Sequence, residues 1–256
     1  MKEQDIREAT DDLGTWLGPD LAGKSFLDVG CGSGLSSLAA SRLGCNEIVS
    51  FDYDANSVAA TLAIRAKEFS GNSGSWKVLQ GSVLDEKVMA ELPPFDIVYS
   101  WGVLHHTGQM WPALDAAAGK VKPGGSFYFA LYNDQGWISK YWLAVKKAYV
   151  SSPAVLKFLM LCVYWGYFGV LFFVADLVRL RNPLTRHRTG RRGMKFFYDV
   201  IDWVGGLPFE TAKPVDVQKF LEARGFSAVR ETLVGRRHGC NEFLFRKAGL
   251  PSKLSR

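Results

Sequence analysis

A chain of 256 residues is long enough for one large domain with a substantial core, and too long for a disulfide knot or an isolated binding motif. With 48% hydrophobic and 22% charged residues, 26 glycines and 10 prolines, it is not a disordered, collagen-like or low-complexity protein. Thirty-one Lys and Arg against 25 Asp and Glu leave a net charge of +6, but seven of the cations (Arg179, Arg181, Arg186, Arg188, Arg191, Arg192 and Lys195) lie within 17 residues that hold no acid, so the rest of the chain sums to −1. Such a stripe reads as affinity for phosphate on a nucleic acid or an anionic membrane. The four cysteines, Cys31, Cys45, Cys162 and Cys240, form no CxxC pair and show no metal-ligand spacing with the four histidines. This argues against a disulfide framework and against a metal centre, and suits a reducing cytoplasm. The first 12 residues carry acids and no apolar run, so no signal peptide is expected.

From Asp5 to Leu17, apolar groups at helical spacing (Ile6, Leu13, Trp16, Leu17) predict a lid or entry helix. Short β-rich runs follow at 25–30, 47–52, 76–80, 95–100 and 126–132, separated by helix-like stretches such as LSSLAASRLG and ANSVAATLAIRAKEF. Strands alternating with helices imply right-handed βαβ units and a parallel sheet covered on both faces. The alternation stops after Tyr132 and resumes with PVDVQKFLEARG, whose Pro214 and Gly225 are start and stop signals, and then with strand-like runs at 226–234 and 240–247. The expected fold is α/β: a Rossmann-like, seven-stranded, mostly parallel sheet with helices on both faces and a helical insertion after strand five. Residues 1–132 and 214–256 would form the core, and 133–213 the insertion.

The strongest chemical signal is FLDVGCGSGLSSLA. A buried strand brings Asp28 to the end of the sheet, and Gly30, Gly32 and Gly34 form a tight turn whose backbone can approach a ligand as a helix begins. Dinucleotide enzymes space these glycines as GxGxxG, whereas here they run GxGxG, two residues after an acid. The second strand ends in Asp52, followed by Tyr53 and Asp54. A carboxylate there can accept hydrogen bonds from both ribose hydroxyls of an adenosine ligand. No GxxxxGK[ST] loop exists, so a nucleoside triphosphate is not expected.

Taken together in this order, DVGCGSG, SFDYD, QGSVLD, FDIVYSWGVLHHT and KPGGSFYFALYN resemble the motifs of a class I S-adenosylmethionine-dependent methyltransferase over roughly residues 25–133. The resemblance implies S-adenosyl-L-methionine as cofactor, with Asp28, Gly30, Gly32 and Gly34 facing its methionine part, Asp52 its ribose, and Ser82 and Val83 its adenine; Cys31, Leu35 and Tyr53 beside them are further cofactor-binding candidates. Many relatives carry an acid after the glycine of the third motif; this chain has Gly81-Ser82-Val83, so a hydroxyl or backbone group would have to substitute. Trp101 is a candidate to flank the adenine or cover the methyl site, a core position being the other reading. The passage from Arg192 to Pro214 is also similar to bacterial methyltransferases of quinone- or polysaccharide-associated type, and the chain as a whole resembles the small-molecule, quinone-type branch of the family.

The sulfonium methyl is already activated, so the protein must mainly align an acceptor, exclude water and take up a proton. His105 and His106 directly follow strand four, and an imidazole titrates near neutrality, which suits a phenol or enol hydroxyl. Tyr132 and Asn133 end strand five beside the expected acceptor pocket. The segment YSWGVLHH lacks the [DNS]PP[YF] arrangement that grips exocyclic amines. Cys31 as a nucleophile, Asp202 and Glu210 as ligands of hydroxyls or a cation, and His238 reaching the site through a loop are weaker candidates, each with an ordinary structural alternative.

Within the insertion, residues 158–175 are 18 residues without a charge. A single crossing would put the last two strands across the membrane from the first five, so any membrane contact must be in-plane or re-entrant. The preceding segment is amphipathic, with Trp137, Ile138, Tyr141, Trp142, Val145 and Tyr149 on one face and Lys140, Lys146 and Lys147 elsewhere. An anionic membrane surface contacted through 136–195, a roof over the substrate, a homodimer contact and an RNA contact all stay open; nucleic acid is disfavoured because the aromatics precede the cations instead of alternating with them. The expected activity is methyl transfer to an oxygen, with carbon the lesser alternative, of an apolar or lipid-linked small molecule by a cytoplasmic enzyme, with peripheral membrane association as the open option. The alternatives are an RNA methyltransferase and a non-catalytic cofactor-binding protein that docks on a membrane or partner.

Overall fold

The computed structural model describes residues 3–69, 74–178, 200–201, 204–235 and 239–249, and only the backbone of residue 172. The basic segment, Phe196 to Asp199, Asp202, Trp203 and His238 lie outside the described residues. The chain divides into two units, 1–134 with 210–256, and 135–209. In chain order the elements are α1 (Glu3–Leu17), β1 (Ser25–Val29), α2 (Leu35–Arg42), β2 (Glu47–Asp52), α3 (Ala55–Glu68), β3 (Ser75–Gln80), α4 (Glu86–Glu91), β4 (Phe95–Trp101), a 3-10 turn (Leu104–His106), α5 (Met110–Gly119), β5 (Val121–Tyr132), α6 (Trp137–Ser151), α7 (Ala154–Val178), α8 (Pro214–Glu222), β6 (Phe226–Thr232) and β7 (Cys240–Lys247).

The first unit is a seven-stranded sheet in the order β3-β2-β1-β4-β5-β7-β6. β1 to β5 run parallel, and β7 is antiparallel to both β5 and β6. Side chains alternate across β1: Leu27 and Val29 join a core cluster with Met110 and Leu114 of α5 and Val217 and Leu221 of α8, whereas Phe26 joins Ile6, Leu13 and Trp16 of α1 and Leu38 of α2 on the other face. Asp28 shares the α2 side with Phe26. Strand order reverses at β1 and β4, where the connections from β1 and β4 diverge and leave a crevice at the strands' C-terminal ends.

Local chemistry sets the element boundaries. Asp54 accepts from the backbone N–H groups of Asn56 (3.3 Å) and Ser57 (3.1 Å) to start α3, and Asp85 starts α4 in the same way. Pro214 opens α8. Of the two readings for α1, a lid or an entry helix, the packing favours the second: Ile6, Leu13 and Trp16 are buried, and Trp16 stacks on Tyr128 of β5 at 4.7 Å. α1 is a layer of the fold. The chain rejoins the core at residue 210, ahead of the helix start at Pro214, because Glu210 N–H donates to the His105 carbonyl (3.0 Å) and Ala212 N–H to that of Tyr132 (3.0 Å).

In the second unit, α6 turns Trp142, Val145 and Tyr149 toward Leu161, Tyr164, Trp165 and Phe168 of α7, with Val200 and Val204 completing the cluster. Lys146, which the spacing puts off the aromatic face of α6, is fully buried with its ammonium 4.8 Å from the centre of the Phe209 ring. Gly205 is helical, and a Cβ there would meet the Tyr149 ring at 3.0 Å.

Candidate active site

The glycine loop joins β1 to α2, and its N–H groups are largely spent within the protein. Gly30 and Cys31 donate to the Phe51 carbonyl (2.9 and 3.0 Å), Gly34 to the Cys31 carbonyl (2.8 Å), and Gly32 to Oδ2 of Asp52 (2.9 Å). A pyrophosphate loop keeps such donors for its ligand; this one does not. The three glycines serve different ends. A Cβ on Gly30 would come within 2.4 Å of Val103, and one on Gly34 within 2.8 Å of Thr61, so both positions are closed by protein. Gly32, at φ +53°, has nothing within 4 Å of the same point, so open space for a ligand lies there. Leu35, half-buried at the first position of α2, packs against the α1/α2 core.

Asp28 is buried and accepts from the Ser37 hydroxyl at 2.6 Å. Because that hydroxyl proton points at Asp28, Ser50 donates to Ser37 (2.6 Å), and Trp76 Nε1–H donates to Ser50 (2.8 Å). A directed chain of hydrogen bonds thus ties the carboxyl on β1 to α2, β2 and β3. Burial, with Asp52 adding to it, pushes the Asp28 pKa from the ordinary 3.8 up to about 7, although the Ser37 bond opposes this. Unfolded, the group ionises near pH 3.8; folded, near 7. Its contribution to stability is therefore complete below the lower value and is lost as pH rises through the upper one. Asp28→Asn should melt like the wild type near pH 4 and at higher temperature above pH 7, the gap growing by at most about 1.4 kcal/mol per pH unit between. Thermal melts across that range check this, and a constant gap would refute it.

Asp52 ends β2, half-buried, with Oδ2 accepting from Gly32 and Oδ1 from the Asp54 N–H (2.9 Å). Two backbone bonds thus fix the carboxylate plane and leave further lone pairs on both oxygens. Tyr53 beside it is 81% exposed. Past β3, the Ser82 hydroxyl oxygen accepts from the Leu84 N–H (3.1 Å), which leaves its proton to donate, while Val83 is buried in the core so that only its backbone faces outward. Cys31 is buried, and its thiol donates to Thr61 (3.3 Å), which in turn donates to the Gly32 carbonyl (3.0 Å). Burial pushes this thiol up to about 12, so it stays protonated and packs the loop; it is no nucleophile.

Beyond β4 and β5, three rings cluster: His105 lies 4.0 Å from Tyr132 and 4.5 Å from His106, and His106 is edge-on to Tyr132 at 5.3 Å, all between ring centres. His105 is fully buried; His106 and Tyr132 are half-buried. Trp101, half-buried at the end of β4, packs against the α1/α2 core. Asn133 is engaged within the fold: its amide donates to the Gly235 carbonyl (2.6 Å) and accepts from Asn241 (3.0 Å). Glu210, a candidate by sequence for holding hydroxyls or a cation, is committed to the fold. Both carboxylate oxygens accept from the Met110 N–H (3.2 and 3.0 Å) at the start of α5. With its own N–H on the His105 carbonyl, Glu210 spans the histidine turn. Glu210→Ala should lower stability by ~1–2 kcal/mol through the lost cap, with Glu210→Gln intermediate, as urea midpoints would show. Among the described residues no three His, Cys, Asp or Glu are placed to hold a metal ion.

A family model described as a methyltransferase domain matches residues 1–167. The chain belongs to this family, the class I S-adenosylmethionine-dependent methyltransferases. Over 105 residues this methyltransferase is 35% identical to the tRNA U34 carboxymethyltransferase of Methylococcus capsulatus, covering 41% of this chain and 31% of that protein. Over 137 residues it is 30% identical to the ubiquinone biosynthesis O-methyltransferase of Cronobacter sakazakii, covering 54% of this chain and 51% of the relative. The chain thus spans about half or less of the length of these curated relatives. Among solved structures it is similar to magnesium protoporphyrin IX methyltransferase from Synechocystis with bound S-adenosylhomocysteine (TM-score 0.53, 17% identity, 96% of this chain and 86% of that one). It is also similar to an O-methyltransferase family protein from Burkholderia thailandensis (TM-score 0.57, 14% identity, 95% and 56%). At such identities the likeness is one of fold. The open space at Gly32 and the fixed carboxylate of Asp52 fit the cofactor that the family uses, S-adenosylmethionine.

Proposed function

We propose that this methyltransferase transfers the methyl group of S-adenosylmethionine to an oxygen of an apolar or lipid-linked small molecule. The observation that carries the reading is the ring cluster of His105, His106 and Tyr132 at the ends of β4 and β5, on the same edge of the sheet as Asp28 and Asp52. Aromatic walls and an imidazole suit a phenol or enol, which must lose a proton to become a good nucleophile. His106, half-buried, is the base: a ring nitrogen takes the acceptor's hydroxyl proton as the oxygen aligns with the methyl. His105, wholly buried against Tyr132, holds the cluster in place. Asp28 and the open side of the glycine loop face the methionine part, Asp52 holds the ribose hydroxyls, the Tyr53 ring lies along the nucleoside, and Ser82 with the Val83 backbone meets the adenine. The cofactor supplies a methyl group already activated on sulfonium sulfur; the chain's own residues orient, desolvate and deprotonate the acceptor. Four cysteines free of disulfides are compatible with a reducing cytoplasm.

The test uses cofactor carrying a tritiated methyl group, with an alkyl-substituted phenol in one reaction and bulk tRNA in another. The reading requires label in the organic phase with the phenol. Label in the tRNA alone would replace it with RNA methylation, the second reading, which the similarity to a tRNA-modifying relative favours. Cofactor bound but never turned over on either acceptor would favour the non-catalytic docking role.

A further inference from the structure

α7 runs for 25 residues and is, among the described residues, one helix long and apolar enough to cross a membrane. The sheet forbids a lone crossing. Ala212 N–H donates to the Tyr132 carbonyl (3.0 Å) and Asp134 N–H to that of Ala212 (3.1 Å), so the insertion leaves and re-enters the core at one place. β7, after the insertion, pairs with β5, before it. A return crossing would need a second long apolar run, and the remainder of 135–209 has none.

Yet α7 leaves a broad apolar side uncovered. Val155, Leu159, Val163, Val170, Val174 and Leu177 are all exposed, Val163 and Val170 by 67% and 66%. Contiguous apolar surface of this kind marks a contact site. The charges beside it name the occupant. On α6, Trp137 and Tyr141 are exposed, and so are Lys140 and Lys147 on the adjoining side of the helix, the mixture of aromatic and cationic side chains found at bilayer interfaces. The acid of α7, Asp176, is buried, and residues 135–209 carry eleven Lys and Arg against three Asp and Glu, while the rest of the chain has 20 against 22. A second copy would bring two net-positive segments together, whereas anionic lipid neutralises them.

We propose that α7 lies in the plane of an anionic bilayer, its exposed side at the acyl boundary and the α6 lysines among the headgroup phosphates. This goes beyond the methyl-transfer reading and does not depend on it. Flotation of the full chain with phosphatidylcholine vesicles, with and without phosphatidylglycerol, tests it, with S-adenosylhomocysteine binding followed separately as a readout of the core. The expected result is capture by the phosphatidylglycerol vesicles that falls with added salt. Val163→Glu/Val170→Glu, on exposed positions, should reduce capture at least about tenfold. Lys140→Glu/Lys147→Glu should reduce it about tenfold. Both variants should bind S-adenosylhomocysteine as the parent does. Three outcomes overturn the proposal: no capture by either vesicle, capture equal for parent and both variants, or a stable dimer in solution that Val163→Glu/Val170→Glu dissociates while vesicles capture nothing.

Discussion

Asp52→Ala is expected to weaken binding of S-adenosylmethionine and S-adenosylhomocysteine by at least about 100-fold, or ~3 kcal/mol, while the protein stays folded. Two contributions add. The carboxylate is proposed to hold both ribose hydroxyls, and charged hydrogen bonds of that type contribute about 1.5–3 kcal/mol each. It also receives the Gly32 N–H, so its removal frees the loop residue beside the open side of the cradle. Asp52→Asn, which keeps one oxygen acceptor, should fall between. Calorimetric titration with S-adenosylhomocysteine, beside a thermal melt, separates binding from stability. An unchanged affinity in a folded variant would sink the ribose assignment and leave the family's cofactor to be held by other residues.

His106→Ala should lower kcat by about 10²–10⁴-fold with cofactor affinity and melting temperature nearly unchanged, and flatten the pH dependence of the rate. His105→Ala should behave differently. Its ring is wholly buried 4.0 Å from Tyr132, so its loss opens a cavity and costs about 2–4 kcal/mol of stability, with any rate loss following from a displaced His106. Initial rates on an alkyl-substituted phenol, with melts of both variants, decide between them. If His105→Ala abolished turnover in a folded protein while His106→Ala left it intact, the two roles would be exchanged and His106 would not be the proton acceptor.

Much of the fold was legible because its signals are local. Alternating apolar runs and the glycine turn sit within a few residues of one another, and Pro214 marks the start of its helix by its own missing N–H. The 3-10 turn and α4 were not read, being too short to show a period. The strand predicted at 126–132 begins at Val121, past a register shift that pairs Val121 with Phe95 and then Ser126 with Ile97. Candidate site residues could be named from motif order, but their partners could not. Ser37, Ser50 and Trp76, from three separate elements, form the chain of hydrogen bonds that ends on Asp28, and Asn241 reaches Asn133 across more than a hundred residues.

By itself the sequence determined the α/β class, the positions of the cofactor motifs, and the separation of a hydrophobic, basic insertion from an otherwise near-neutral chain. These follow from residue order, spacing and charge, which need no knowledge of distant neighbours. Tertiary structure decided which histidine is buried and which half-open, that Glu210 and Asn133 serve the fold, that Lys146 is enclosed, and that Asp28 is desolvated enough to titrate near neutrality. Burial and hydrogen bonding depend on what other segments bring to the same place, and no single stretch of chain carries that information.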